Sequence, residues 1–269
     1  MADYRMIVLD LDGTLTNRDK VITPRTKEAL MKAQEAGKIV VLASGRPTPG
    51  VQPLAEELEL ARFGSYILSY NGGIITNCKT GEEVFTAKIP VECNRQIIQL
   101  AREHRVDILT YEGNDIIATS DTSTYSRYES RATGMNLRLV EDLESYVDFS
   151  VAKYVMFDDD DYLVTVEPRV KAALGRRFSV YRSEPFFLEV LPYGIDKAQS
   201  IARLAEQINI SKEEIIACGD GYNDLSMVKY VGLGVAMENA VLPLRNVADY
   251  ITLSNNDDGV AHVVEKFML

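Results

Sequence analysis

Short apolar runs that stop on a polar residue recur along the chain. Met6 to Leu9 leads into Asp10, "KIVVLAS" ends on Ser44, "YILSY" runs into Asn71, and "IIACGD" ends on Asp220. Continuous apolar runs of this length are the form expected of strands covered on both faces, as in a parallel sheet. Helical spacing lies between them. Thr23 and Pro24 read as an N-cap and a first-turn proline, Ala29, Leu30, Ala33 and Ala36 recur on one face, and Gly37 suits the stop. A further helix is expected from about Thr48 to Leu58. In the last third, Ala198, Ile201, Leu204, Ala205 and Ile208 mark another helix, and Ser211 with Glu214 forms a capping box. "GLGVAM" and "DYITL" read as further short strands. Strand and helix in alternation predict an α/β fold with right-handed crossovers and a parallel sheet.

The middle of the chain changes rhythm. "ILTYEGNDIIAT" reads as two strands joined by a turn at Gly113 and Asn114, and "AKYVMF" and "FFLEVL" are strand-like. Ile97, Ile98 and Ala101 suggest a helix over this second sheet. The pattern predicts an α/β core made of residues 1–83 and 191–269, with an α+β domain, residues 84–190, inserted into it.

Composition narrows the function classes. The chain has 269 residues, 46% hydrophobic and 26% charged, as in a soluble globular protein. Its net charge of −11 disfavours nucleic acid as a partner, since that needs Lys and Arg against phosphates. A small anion remains compatible, because a site can be locally positive. No apolar run approaches a membrane span, and the first residues lack a signal-peptide core, so a cytoplasmic protein with no membrane partner is expected. Cys78, Cys93 and Cys218 have no metal-type spacing and read as reduced thiols. With His104 and His262 the only histidines, a histidine metal site or a Ser-His-Asp triad has little to build on. The run Asp158 to Asp161 lacks the glycine and distal glutamate of a calcium loop and reads as a solvated turn or helix start.

Chemistry therefore rests on carboxylates. Ligands in open α/β sheets bind at the carboxyl ends of the strands, where Asp10, Asp12, Ser44, Asn71 and Asp220 fall. Asp10, Asp12, Asp220 and Asp224 without His or Cys favour a hard cation such as Mg²⁺. Ser44, Asn223, Lys197 and the amides near Gly13 and Gly45 would suit the oxygens of a phosphoryl group. Of the two early aspartates, one held on a metal stays anionic and can attack. The other, beside that carboxylate, is expected to have a raised pKa and to hold a proton for a leaving alkoxide.

"DLDGT" from Asp10, "ASGR" from Ala43, Lys197, and "GDGYND" from Gly219 resemble the four ordered motifs of the haloacid dehalogenase superfamily. "NGG" at Asn71, "FLEV" at Phe187 and "GVAMENA" at Gly234 resemble its Cof-type branch of sugar-phosphate phosphatases, which carry a large cap between the second and third motifs. The resemblance implies a Rossmann-like core and a small phosphorylated metabolite as substrate, with no obligate protein partner inferred. It implies Asp10 as nucleophile and metal ligand, and Asp12 as general acid/base with its carbonyl on the metal. Ser44, Gly45, Lys197 and Asn223 would hold the phosphoryl group, Asp220 would complete the metal ligands, and Asp224 would support the metal or Lys197. Ala198 stands where the family often has glycine. An aspartate at position 12 argues for a phosphatase or a phosphomutase, since both must protonate a leaving alcohol. A phosphate sensor that binds without turnover is a third reading, disfavoured by an intact nucleophile. In the cap, Phe186, Phe187 and Glu189 either face the substrate or pack the cap sheet.

Overall fold

The computed structural model describes residues 3–121 and 123–269. The chain divides into two compact units, one running to Phe85 and resuming at Asp196–Leu269, the other Thr86–Ile195. Five strands precede or border the division: β1 (Met6–Leu9), β2 (Ile39–Ala43), β3 (Tyr66–Ser69), β4 (Ile74–Asn77) and β5 (Glu83–Thr86). The second unit holds β6 (Asp107–Glu112), β7 (Asp115–Ala118), β8 (Asn136–Leu139), β9 (Tyr154–Phe157), β10 (Phe178–Glu184) and β11 (Phe187–Pro192). The chain then returns with β12 (Ile215–Gly219), β13 (Leu233–Ala236) and β14 (Tyr250–Ile251).

The first unit is built on the sheet order β14-β13-β12-β1-β2-β3-β4-β5. The strands from β14 to β3 are parallel, and helices cover them, so β1 buries Met6, Ile7, Val8 and Leu9 completely. That is why its sequence is an unbroken apolar run rather than an alternating one. From β1 the chain steps to β2 and β3 on one side, and from β12 to β13 and β14 on the other. The order therefore reverses between β1 and β12, and ligands in such sheets bind at that crevice.

The parallel sheet carries an antiparallel extension that the apolar runs did not announce. Tyr70 and Asn71 both take left-handed backbone angles, with φ of 51° and 56°, and Gly72 follows at 91°. The chain reverses within those residues, so β4 pairs antiparallel with β3, with Leu68 opposite Ile75. A connection this short cannot make the crossover a parallel neighbour needs.

In the second unit the sheet order is β10-β11-β9-β6-β7-β8. All its pairs are antiparallel except β7 with β8, which the helix Thr124–Thr133 connects. Helices Val91–Glu103 and Asp160–Leu174 give this unit its own core, including Ile97, Leu163 and Val166 against Ile108, Met156 and Leu188. Asp160 and Asp161 occupy the first turn of the longer helix, where acidic side chains meet the positive end of the dipole. Phe187 is buried in an aromatic group with Phe157, Tyr128 and Phe186, and Tyr125 stacks on Phe186 at 4.8 Å. Phe187 thus packs into this unit's core, while Phe186 is half-buried in the turn between β10 and β11. Glu189 is buried too, and accepts from Lys153 Nζ at 2.8 Å.

A buried polar bridge holds the first unit's helix Pro24–Glu35 to its sheet. Gln34 donates to the Leu58 carbonyl at 2.9 Å and accepts from the Ser65 hydroxyl at 3.2 Å, while Ser65 accepts from the Val40 amide. Truncation by Gln34→Ala leaves the Leu58 carbonyl and the Ser65 hydroxyl buried without that partner. It is expected to lower unfolding free energy by about 2–3 kcal/mol, measured as a shift of the urea midpoint at unchanged m-value.

Candidate active site

The register of β1 on β12 sets the site. Leu9 lies opposite Cys218, and the Asp10 amide donates to the Cys218 carbonyl at 3.1 Å. Asp10 and Asp220, far apart in sequence, thus leave the sheet side by side. After Asp10 the chain turns tightly. Leu15 N–H donates to the Asp10 carbonyl and Thr16 N–H to that of Leu11. Gly13 takes φ +84° against the Asp220 carboxylate, where a Cβ would come within 2.3 Å of Oδ2. Only glycine meets both demands. Thr14 then donates its hydroxyl to Asp220 Oδ1 at 3.0 Å.

Lys197 opens the helix Lys197–Gln207, behind Asp196 as N-cap. Its side chain is fully buried, and its ammonium donates to Asp10 Oδ1 and to Asp224 Oδ1, both at 2.6 Å. Burial alone would lower the Lys197 pKa, but the Asp10 and Asp224 carboxylates outweigh it and keep the ammonium charged. The helix is set against the end of β3 by Gly72, whose carbonyl accepts from Ser200 Oγ at 2.7 Å. A Cβ on Gly72 would lie 2.3 Å from that hydroxyl oxygen.

Asp224 is held from its other oxygen, which accepts the amides of Asp220 and Gly221 at 2.9 Å each. Its acceptors are thus engaged by the protein itself. Asp10 and Asp220 each keep one oxygen, Oδ2, without a protein donor among the described residues. Carboxylate oxygens of Asp10, Asp220 and Asp224 lie within 4.8 Å of one another. Burial and the nearby Asp224 charge push the Asp10 carboxyl well above its ordinary range, against the pull of Lys197. The same two causes push Asp220 up to about 6. Around these carboxylates the one ammonium of Lys197 does not offset burial and mutual repulsion.

The second early aspartate behaves contrary to the sequence expectation. Asp12 is not raised. Burial favours its neutral form, but Arg46 and Lys20 override that and hold the carboxyl below its usual range. Arg46 meets it in a fork, Nε to Oδ2 at 2.8 Å and Nη2 to Oδ1 at 2.6 Å, and Lys20 Nζ reaches Oδ1 at 2.6 Å. The sequence expectation counted the neighbouring carboxylate and missed these two cations. Arg46 was visible as the last residue of "ASGR". Lys20 is brought in by an Asn17 turn, in which the Asn17 side chain accepts the amides of Asp19 and Val21.

Ser44 and Gly45 follow β2. Ser44 is buried, and its oxygen accepts from the Arg46 amide at 3.1 Å, which leaves the hydroxyl proton to donate. Asn71 donates its amide to the Ser44 carbonyl at 2.8 Å and packs its side chain beside Gly45. Asn223 donates to Asn71 Oδ1 at 3.4 Å, linking the loops after β2, β3 and β12. The first unit therefore gathers Asp10, Asp12, Ser44, Gly45, Lys197, Asp220 and Asn223 at the carboxyl ends of its parallel strands. Ala198 is half-buried at the second position of the Lys197 helix.

The sequence matches the model of the haloacid dehalogenase-like hydrolases over residues 7–264. It is 31% identical over 267 residues, 99% of both chains, to a Bacillus subtilis (strain 168) protein named "Putative phosphatase YxeH". It is 27% identical to that organism's 5-amino-6-(5-phospho-D-ribitylamino)uracil phosphatase YcsE, covering 100% of this chain and 97% of that one. A crystal structure of a haloacid dehalogenase-like hydrolase from Bacteroides thetaiotaomicron superposes with a TM-score of 0.94 at 46% identity, covering 98% and 99% of the two chains. The chain belongs to the haloacid dehalogenase-like hydrolases, in their Cof-type branch, and is an enzyme of phosphatase class.

Proposed function

We propose that this phosphatase is a Mg²⁺-dependent hydrolase of small phosphorylated metabolites, sugar phosphates foremost, acting in the cytoplasm through an aspartyl phosphate on Asp10. The observation that carries the reading is the buried Lys197 ammonium bound to Asp10 beside a second, uncompensated carboxylate, Asp220. Substrate class draws support from YcsE, whose named substrate is the phosphate ester of a ribityl chain. Among the described residues no helix is long and apolar enough to cross a membrane.

The donor set fits a hard divalent cation. Asp10 and Asp220 would hold it through the oxygens the protein leaves open, with the Asp12 carbonyl as a third ligand and water completing the shell. Four carboxylates here face three cationic side chains, so a divalent ion turns the local balance positive, as a phosphate dianion requires. When bound, the ion neutralises the carboxylates and draws charge from the phosphoryl oxygens.

Lys197 holds the Asp10 carboxylate by Oδ1 and so orients the group that attacks phosphorus. As the Asp10–phosphorus bond forms, the bond to the ester oxygen breaks, and that oxygen takes a proton from the Asp12 carboxyl. Asp12 then accepts a proton from water, whose oxygen attacks the phosphorus and breaks its bond to Asp10. Inorganic phosphate leaves and the Asp10 carboxylate is restored. Ser44 hydroxyl, Gly45 amide, Asn223 and Lys197 supply donors to the phosphoryl oxygens. Arg46 and Lys20 keep the resting Asp12 in the base form needed for the second step. A phosphoryl dianion bound beside it favours the protonated form needed for the first.

A phosphate-release screen across sugar phosphates, nucleotides and cofactor phosphates is expected to give turnover with stoichiometric inorganic phosphate; isomerised sugar phosphate instead would establish a mutase. Asp10→Asn should lower kcat by roughly 10⁴-fold or more, since the nucleophile is gone. Full turnover by that variant would refute the assignment. Chelation with excess EDTA should abolish activity, and added Mg²⁺ should restore it. Undiminished hydrolysis after exhaustive chelation would rule out the metal.

A further inference from the structure

The loop from Asp10 to Thr16 is gripped from outside by two asparagines that the proposed chemistry does not use. Asn239 Nδ2 donates to the Gly13 carbonyl at 2.8 Å, and Asn255 Nδ2 donates to the Thr16 carbonyl at 2.8 Å. The two are joined to each other, since the Asn255 amide donates to Asn239 Oδ1 at 3.0 Å. The segment carrying Asn239 also bonds the opposite loop. Met237 N–H donates to the Gly219 carbonyl at 3.0 Å, and Val241 N–H to that of Asp220 at 2.9 Å. Asn239, in the segment after β13, is thus tied to the loop that carries Asp220 and reaches across to the loop that carries Asp10.

What it grips bears directly on the carboxylates. The Gly13 carbonyl belongs to the same peptide unit as the Thr14 amide, and the Thr14 hydroxyl orients Asp220. Gly13 itself lies against the Asp220 carboxylate. The strap beyond is stiff: Thr252 Oγ1 donates to the Gly259 carbonyl at 2.8 Å, and the Gly259 amide donates to the Ser254 carbonyl at 3.0 Å. Asn239 is exposed and Asn255 half-buried, so neither fills the core.

We propose that Asn239 and Asn255 are positioning residues that set the separation of the Asp10 and Asp220 carboxylates, and through it the affinity for the divalent cation. This rests on the reading of those two aspartates as metal ligands. Outer partners that orient ligating groups commonly govern metal affinity by an order of magnitude or more. The two hydrogen bonds act on one loop and share a bond with each other, so their effects are coupled.

The test is direct binding of Mn²⁺ by electron paramagnetic resonance, with Mg²⁺ as competitor, on the full chain. Asn239→Ala and Asn255→Ala are each expected to weaken binding about tenfold. Metal-free Tm should stay within about 2 °C of the parent, as for other surface substitutions. The double variant should lose less than the product of the single effects. Asn256→Ala serves as control: it removes a comparable bond, Arg18 N–H to Asn256 Oδ1 at 3.0 Å, further along the same strap, and should leave the titration unchanged. Parent-like Mn²⁺ binding in both single variants, whether or not Tm falls, would overturn the positioning role alone. Absence of saturable Mn²⁺ binding by the parent would overturn the metal reading beneath it.

Discussion

A buried ammonium between two carboxylates is the constraint on which the rest of this site depends. Taking Lys197 out of water costs several kcal/mol, and only close, well-directed counter-charges offset that. Asp10 and Asp224 meet the condition at 2.6 Å each. Each of them brings a different chain segment. Asp10 ends β1, and Asp224 folds back beneath the end of β12 to hold the amides of Asp220 and Gly221. Lys197 itself starts a helix that Gly72 and Ser200 press against the end of β3. A single cation therefore brings three segments of the core to one point. Removing it would leave two buried carboxylates facing each other, which is why stability and chemistry cannot be separated at this residue.

The two early aspartates sit a residue apart and live in opposite surroundings. Asp10 has been dried and crowded by like charge, so its carboxylate is held in a condition that a further cation relieves. Asp12 has been given two cations of its own. That difference divides labour between them without any difference in residue type. Its charge is largely answered by Arg46 and Lys20, although it still adds to the repulsion felt by Asp220.

Much of this was legible in the sequence, for a definite reason. In a parallel sheet each strand is an apolar run, and the polar residue that ends it falls at the ligand-binding edge. Asp10, Ser44, Asn71 and Asp220 could be read that way. What could not be read were contacts set by turn geometry. The Asn17 turn that delivers Lys20 to Asp12 reverses the expected direction of the Asp12 pKa. Left-handed Tyr70 and Asn71 send the chain back antiparallel, a reversal that the apolar run "YILSY" does not announce. Phe186 and Phe187 offered two readings because an aromatic pair has the same sequence whether it packs or binds. Asn239 and Asn255 lie over 200 residues from the carbonyls they hold; Asn239 falls inside "GVAMENA", but nothing in that segment announces the contact, and nothing local marks Asn255.

The place of β1 has a further consequence, during synthesis on the ribosome. β1 is made before the inserted unit, yet one of its two neighbours, β12, lies on the far side of that unit. Until residues 215–219 emerge, a fully apolar strand has one edge unpaired. Edges of that kind invite association with other chains, and pairings so distant in sequence form slowly. The inserted unit, with a core of its own, can fold in the interval. The nascent protein thus passes through a stage in which a finished middle is flanked by half a sheet, and this is the stage at which a chaperone would have the most to protect.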